Sequence, residues 1–144
     1  MPLQIFNTTR KELPEELLER TVIDVLDSEG FGIESIVAVY CGKKMIRKIN
    51  REFLQHDYAT DTITFRYSDN REIDGEFYIS LDVIEENARR FEVDSRHELL
   101  RVTIHSVLHL IGYDDQTVEG RLQMQQKEEF YLNRDRDAIN QISS

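Results

Sequence analysis

The chain has 144 residues, 40% of them apolar, and its 28 acidic against 18 basic side chains give a net charge of −10. That length supports one domain, residues 1–144, with a substantial core; the acidic balance argues against nucleic-acid binding over the whole surface, and no apolar run approaches the roughly 20 residues of a membrane span. The single cysteine, Cys41, excludes an internal disulfide, and Met1 to Gln4 lack the charged and apolar regions of a signal peptide, so a soluble protein of the reducing cytoplasm is expected.

Leu3 to Asn7 predicts a short strand. A helix is expected from about Pro14 to Ser28, with Pro14 in its first turn, Leu18, Val22, Val25 and Leu26 inward, and Gly30 and Gly32 ending it. Ser35 to Cys41 is rich in β-branched residues and reads as a central strand, with Cys41 a small buried residue at its end. From about Lys43 to Phe53 a helix places Met45, Ile46, Ile49 and Phe53 in a buried stripe and turns Lys43, Lys44, Arg47, Lys48 and Arg51 outward, a local basic face on an acidic protein. Thr62 to Tyr67 alternates as a third strand, Ser68 to Gly75 reads as a loop, Phe77 to Leu81 as a fourth strand, and Asp82 to Phe91 as a helix. Ser95 with Glu98 has the form of a capping box opening a further helix. Its apolar positions, Leu99, Leu100, Val102, Ile104, Val107, Leu108 and Ile111, are too many for one stripe, so it should be buried at the centre. A last helix is expected from about Val118 to Arg134, with a frayed chain end. The order predicts an α+β domain with about four strands in a mixed sheet and about five helices.

The central helix ends on His105-Ser106-Val107-Leu108-His109-Leu110-Ile111-Gly112-Tyr113-Asp114-Asp115. Histidines at i and i+4 share a helix face, so both imidazoles can reach one ion. Gly112 supplies the left-handed backbone that turns the chain back, and Asp115 follows closely enough to add a third ligand. Three protein ligands with a fourth position open suit a catalytic zinc. Zinc peptidases with His-Glu-x-x-His carry their general base directly after the first histidine. Ser106 cannot serve in that role, so peptidase chemistry becomes the alternative. An iron site of two histidines and a carboxylate fits the ligand types, but usually draws them from strands.

His105 to Asp115 resembles the His-Gly-x-Leu-His-Leu-x-Gly-Tyr-Asp-His signature of the YbeY family of metal-dependent endoribonucleases, matching at His105, Leu108, His109, Leu110, Gly112, Tyr113 and Asp114. Asn50 to Phe53, Ala59 to Phe65 with Thr60, Asp61 and Phe65, Gly75 to Ser80, and Met124 with Glu128 are similar to further family segments in the same order. The chain departs at Asp115, where the family has its third histidine, at Ser106, where it has glycine, and at Leu54, where it usually has arginine. The first departure gives two nitrogens and a carboxylate, still suited to Zn²⁺ but more permissive toward other divalent ions. The resemblance implies a cytoplasmic, single-strand-specific endoribonuclease acting in 16S ribosomal RNA 3′-end maturation and ribosome quality control, with precursor RNA and ribosomal components as partners and no membrane. Its rival is a ribosome-assembly factor whose metal is only structural. Thr60 and Asp61 are expected beside the metal cleft, and Arg51 or Arg66 replaces the missing arginine in holding phosphate. Asp114 is the nearest candidate for a carboxylate behind the ligands that acts as base, and Tyr58 and Tyr113 flank the site where a base could stack.

Overall fold

The structure, a computed structural model, describes residues 2–54 and 60–143, with side chains up to Arg134. Its elements are β1 (Leu3–Asn7), α1 (Glu15–Ser28), β2 (Gly32–Cys41), α2 (Lys43–Phe53), β3 (Thr62–Arg66), β4 (Glu72–Ser80), α3 (Leu81–Arg90), α4 (Ser95–Leu110) and α5 (Val118–Ser143). The sheet order is β1-β2-β4-β3, with β1, β2 and β4 parallel and β3 antiparallel to β4. This is the expected α+β domain with a four-stranded mixed sheet and five helices, and β3 is an edge strand.

Alternation along the strands divides the protein into two layers. Ile36, Ala38 and Tyr40 of β2 and Ile73, Phe77 and Ile79 of β4 face a large core shared with α1, α3, α4 and α5. Val39, Cys41 and Ile63 face the other way, onto Ile46 and Ile49 of α2. α4 lies in the middle of the larger layer, packed against α1, α3, α5 and the sheet, and all seven of its expected apolar positions are buried. The Tyr40 hydroxyl meets Thr103 Oγ1 at 2.9 Å inside that layer, so a buried polar group is satisfied where strand and helix meet. Cys41 is buried, as expected, and burial pushes its thiol up to about 11.

Several boundaries differ from the expected ones. The loop expected over Ser68 to Gly75 is shorter, because β4 begins at Glu72. Gly75 reads as turn punctuation, yet it lies inside the strand: a Cβ there would stand 2.7 Å from the Phe65 carbonyl oxygen of β3 and 3.0 Å from Leu110 Cδ2 of α4, so a side chain would strike the neighbouring strand's backbone and crowd the helix. Gly32 likewise opens β2, while Gly30 alone takes the left-handed conformation, φ 84°, after α1. Pro14 is the N-cap of α1. At the start of α4 the capping residue is Asp94, whose side chain accepts from Arg96 N; Ser95 is the first helical residue, and Glu98 turns inward, so no capping box forms.

On α2 the buried residues are Ile46, Ile49 and Asn50, whereas Met45 and Phe53 are exposed, Phe53 at 66%. Eleven residues against one sheet face have room for a narrow stripe only, and Phe53 instead packs its edge on Phe65, 5.8 Å between ring centroids. Gly42 has no side chain to cap α2. Asp82 does this from α3 by accepting from Lys43 N at 2.8 Å, and that hydrogen bond holds the Asp82 carboxyl below its usual range. α5 runs to Ser143 rather than ending near Arg134 with a frayed chain end beyond it. No helix among the described residues is long and apolar enough to cross a membrane.

Candidate metal centre

α4 presents His105 and His109 one turn apart, their ring centroids separated by 5.1 Å. The helix ends as the sequence predicts: Gly112 has φ 109°, and the Gly112 and Tyr113 amides donate to the His109 and Leu108 carbonyls. The chain then reverses and brings Asp115 over the imidazole pair. Asp115 Oδ2 lies 3.5 Å from His105 Nε2, and Oδ1 lies 3.4 Å from His109 Nε2. These separations exceed the roughly 2.7 to 3.2 Å of a hydrogen bond. A tetrahedral ion with bonds of about 2.0 to 2.1 Å spaces its ligands about 3.3 to 3.4 Å apart; each imidazole stands at close to that distance from a different oxygen of Asp115, so the carboxylate bridges the pair and the three side chains could share one cation. The three residues are partly buried, and their ligand atoms lie within 4.8 Å of one another.

A second layer of side chains orients the first. Glu128 Oε2 lies 3.1 Å from His105 Nδ1, which favours the tautomer with hydrogen on Nδ1 and leaves Nε2 free to ligate. Glu128 is held in turn by Arg101 Nη1 at 2.9 Å, and Arg101 forks onto Glu98 through Nε at 2.6 Å and Nη2 at 2.8 Å. The two carboxylate side chains are only 4% and 7% exposed. Such buried acids persist because the guanidinium serves both with charge-assisted bonds. Glu128 stands out in the sequence only as a family match, and Arg101 and Glu98 do not stand out as site residues; two opposite charges three residues apart on a helix that is mostly buried are the signal they leave.

Ser106 has a structural role. Its hydroxyl donates to the Val102 carbonyl at 2.7 Å and therefore accepts from Thr62 Oγ1, also at 2.7 Å. This ties the helix to the start of β3, which Thr60 and Asp61 immediately precede in the chain. Thr60 Oγ1 reaches Asp61 Oδ1 at 3.4 Å, and the Asp61 carbonyl accepts from Ser80 N.

The remaining expected site residues stand apart from the triad's contacts. Asp114 is exposed and its Oδ1 accepts from Gln116 N at 2.9 Å, a turn-forming bond. Arg66, at the far end of β3, donates to the Asn70 carbonyl. Arg51 is exposed in the last turn of α2, in the layer opposite α4. Tyr113 does not offer a free ring: its hydroxyl donates to Glu29 at 2.5 Å, and Lys127 stands 6.0 Å from its ring centroid. Tyr58 lies outside the described residues.

A family model described as endoribonuclease YbeY matches residues 4–135. An endoribonuclease YbeY of Chlorobium limicola is 91% identical over 144 residues, all of both chains. One of Chlorobaculum tepidum is 62% identical over 134 residues, 93% of this chain and 98% of the relative. Among solved structures, the solution structure of TM1509 from Thermotoga maritima superposes with a TM-score of 0.70 at 26% identity, covering 96% of this chain and 92% of that one.

Proposed function

Since the chain belongs to the YbeY family, we propose that residues 1–144 form one zinc-dependent endoribonuclease domain that hydrolyses single-stranded RNA in maturing the 3′ end of 16S ribosomal RNA and in ribosome quality control, working in the cytoplasm with ribosomal components. The observation that carries the metal-dependent chemistry is the convergence of His105, His109 and Asp115 at non-bonding distances, with Glu128 orienting one imidazole.

His105, His109 and Asp115 would hold the ion. Zinc held there would supply Lewis acidity, making a water nucleophilic near neutral pH and offsetting negative charge on a phosphoryl oxygen. Glu128 fixes the His105 tautomer, and Ser106 with Thr62 fixes the helix against β3. We assign the base to Asp114, the exposed carboxylate adjoining Asp115, and substrate contacts to Arg51, Thr60, Asp61 and Arg66. α2 and the triad lie in opposite layers, so RNA held on α2 reaches the metal around the edge strand β3, past Thr60 and Asp61.

The direct test offers a single-stranded ribosomal RNA fragment and an unstructured peptide to the purified protein before and after chelation. RNA cleavage that disappears on chelation and returns with zinc is the expected result, with the peptide left intact. Peptide cleavage would move the chain to the metallopeptidases, and RNA binding with no cleavage of either would make it an assembly factor.

The substrate surface has its own test. Lys43 is tied to Glu86 at 2.7 Å, whereas Lys44, Lys48 and Arg51 are exposed along α2. With a net charge of −10, RNA binding depends on such a local patch, and every phosphate that the protein no longer neutralises lowers the salt slope by about 0.7. Reversing Lys44 and Lys48 to glutamate should therefore weaken RNA affinity and flatten its salt dependence with zinc content unchanged. Unaltered affinity and slope would move the RNA surface to Arg66, Arg89 and Arg90.

A further inference from the structure

Asp115 is carried by the turn between α4 and α5, and that turn is anchored at a point remote in sequence. Glu29, which closes α1, has a side chain only 10% exposed. Its Oε1 accepts from Tyr113, while Oε2 accepts from Tyr131 and from Lys127 Nζ at 3.1 Å. Burial alone would push this carboxyl up, but the three donors outweigh it and hold it below its ordinary range, so the bonds are charge-assisted at neutral pH. The turn also meets Gly120 of α5, where a Cβ would stand 2.2 Å from the Asp114 carbonyl oxygen. The segment is thus held by close contact with α5 and by the tether to Glu29 at the end of α1. Tyr113 lies two residues before Asp115, and Lys127 immediately precedes Glu128, the partner of His105. One carboxylate therefore links α1, the ligand-bearing turn and the helix that orients an imidazole.

We propose that Glu29 is a positioning residue for the metal centre: through Tyr113 it sets where the Asp115 carboxylate stands relative to the two imidazoles. The inference rests on the proposal that the triad binds zinc. Glu29 touches neither metal nor substrate, so its effect must appear in metal affinity and coordination geometry. Partners that orient ligands typically change metal affinity by about 10- to 100-fold when removed.

The test measures zinc affinity by chelator competition, the visible spectrum of the Co²⁺-loaded protein, and the unfolding midpoint of the metal-free protein. Tyr113→Phe and Glu29→Gln should each weaken zinc binding by about tenfold or more and alter the cobalt spectrum. Tyr131→Phe deletes the same kind of bond to the same carboxylate but leaves the turn tethered, so its affinity should stay close to that of the unaltered protein even where its midpoint falls as far. Full affinity and an unchanged spectrum in either Tyr113→Phe or Glu29→Gln overturns the proposal, and so do equal losses in Tyr113→Phe and Tyr131→Phe, which would mark the network as fold stability alone. His109→Ala in the same titration separates the two levels. If it binds zinc as the unaltered protein does, or if neither binds, the zinc triad falls and takes this proposal with it; if only Tyr113→Phe behaves as unaltered, the positioning role alone is lost.

Discussion

His109→Ala should fail to retain zinc and should cleave RNA about 10³-fold more slowly or worse. The substitution leaves one imidazole and one carboxylate, too few donors for a zinc site that needs three protein ligands. Losing the ion removes several kcal/mol of transition-state stabilisation, at about 1.36 kcal/mol per decade of rate. The fold should survive, because His109 is 31% exposed and packs at the rim of α4. Thermal unfolding separates these effects. Zinc at about a hundredfold over its dissociation constant adds roughly 2.7 kcal/mol to a protein that binds it, which for a chain of this size is about 5 to 10 °C in midpoint. The unaltered protein should show that rise, and His109→Ala should show none from a near-normal metal-free midpoint. Asp115→His supplies the contrast: three ligands remain, so zinc should be retained, and a neutral ligand in place of a carboxylate should move the pH profile of cleavage toward lower pH. A variant at His109 that keeps both zinc and activity would remove the triad from the mechanism.

The candidate metal triad is legible in the sequence because its geometry is local. A helical i, i+4 pair, a glycine that must adopt positive φ and a carboxylate just beyond it fix one another within eleven residues, and no distant contact is needed to foresee their convergence. The strand and helix order is legible for the same reason, since burial on one face writes a period into the chain. The features that the sequence misplaces depend on tertiary approach. Gly75 looks like a turn until Leu110 is seen resting on it. Phe53 fits an apolar stripe until α2 proves to cover only a small part of its sheet face. Tyr113 sits beside the site in sequence and suggests a stacking surface, but its hydroxyl is committed to Glu29, 84 positions away. Glu29 itself carries no mark in the sequence: an acid at the end of an amphipathic helix is ordinarily solvated, and only the folded arrangement of α1, the turn and α5 gives it three donors.

Arg101→Met should be the most destabilising single change in the support of the site, costing about 3 to 5 kcal/mol, because it strands two buried carboxylates with no cation between them. Glu98 loses both prongs of the guanidinium, and Glu128 is left facing His105 without the arginine that neutralises it. A carboxyl buried without such a partner favours its protonated form. Glu98→Met combined with Arg101→Met should recover much of the loss, since a buried ion pair replaced by apolar side chains of similar volume is often near neutral. That double variant still leaves Glu128 without its guanidinium, so His105 is held less firmly and zinc affinity should stay reduced while stability returns. Full recovery of zinc affinity together with stability would mean that Arg101 serves the fold alone, and that Glu128 orients His105 without its help.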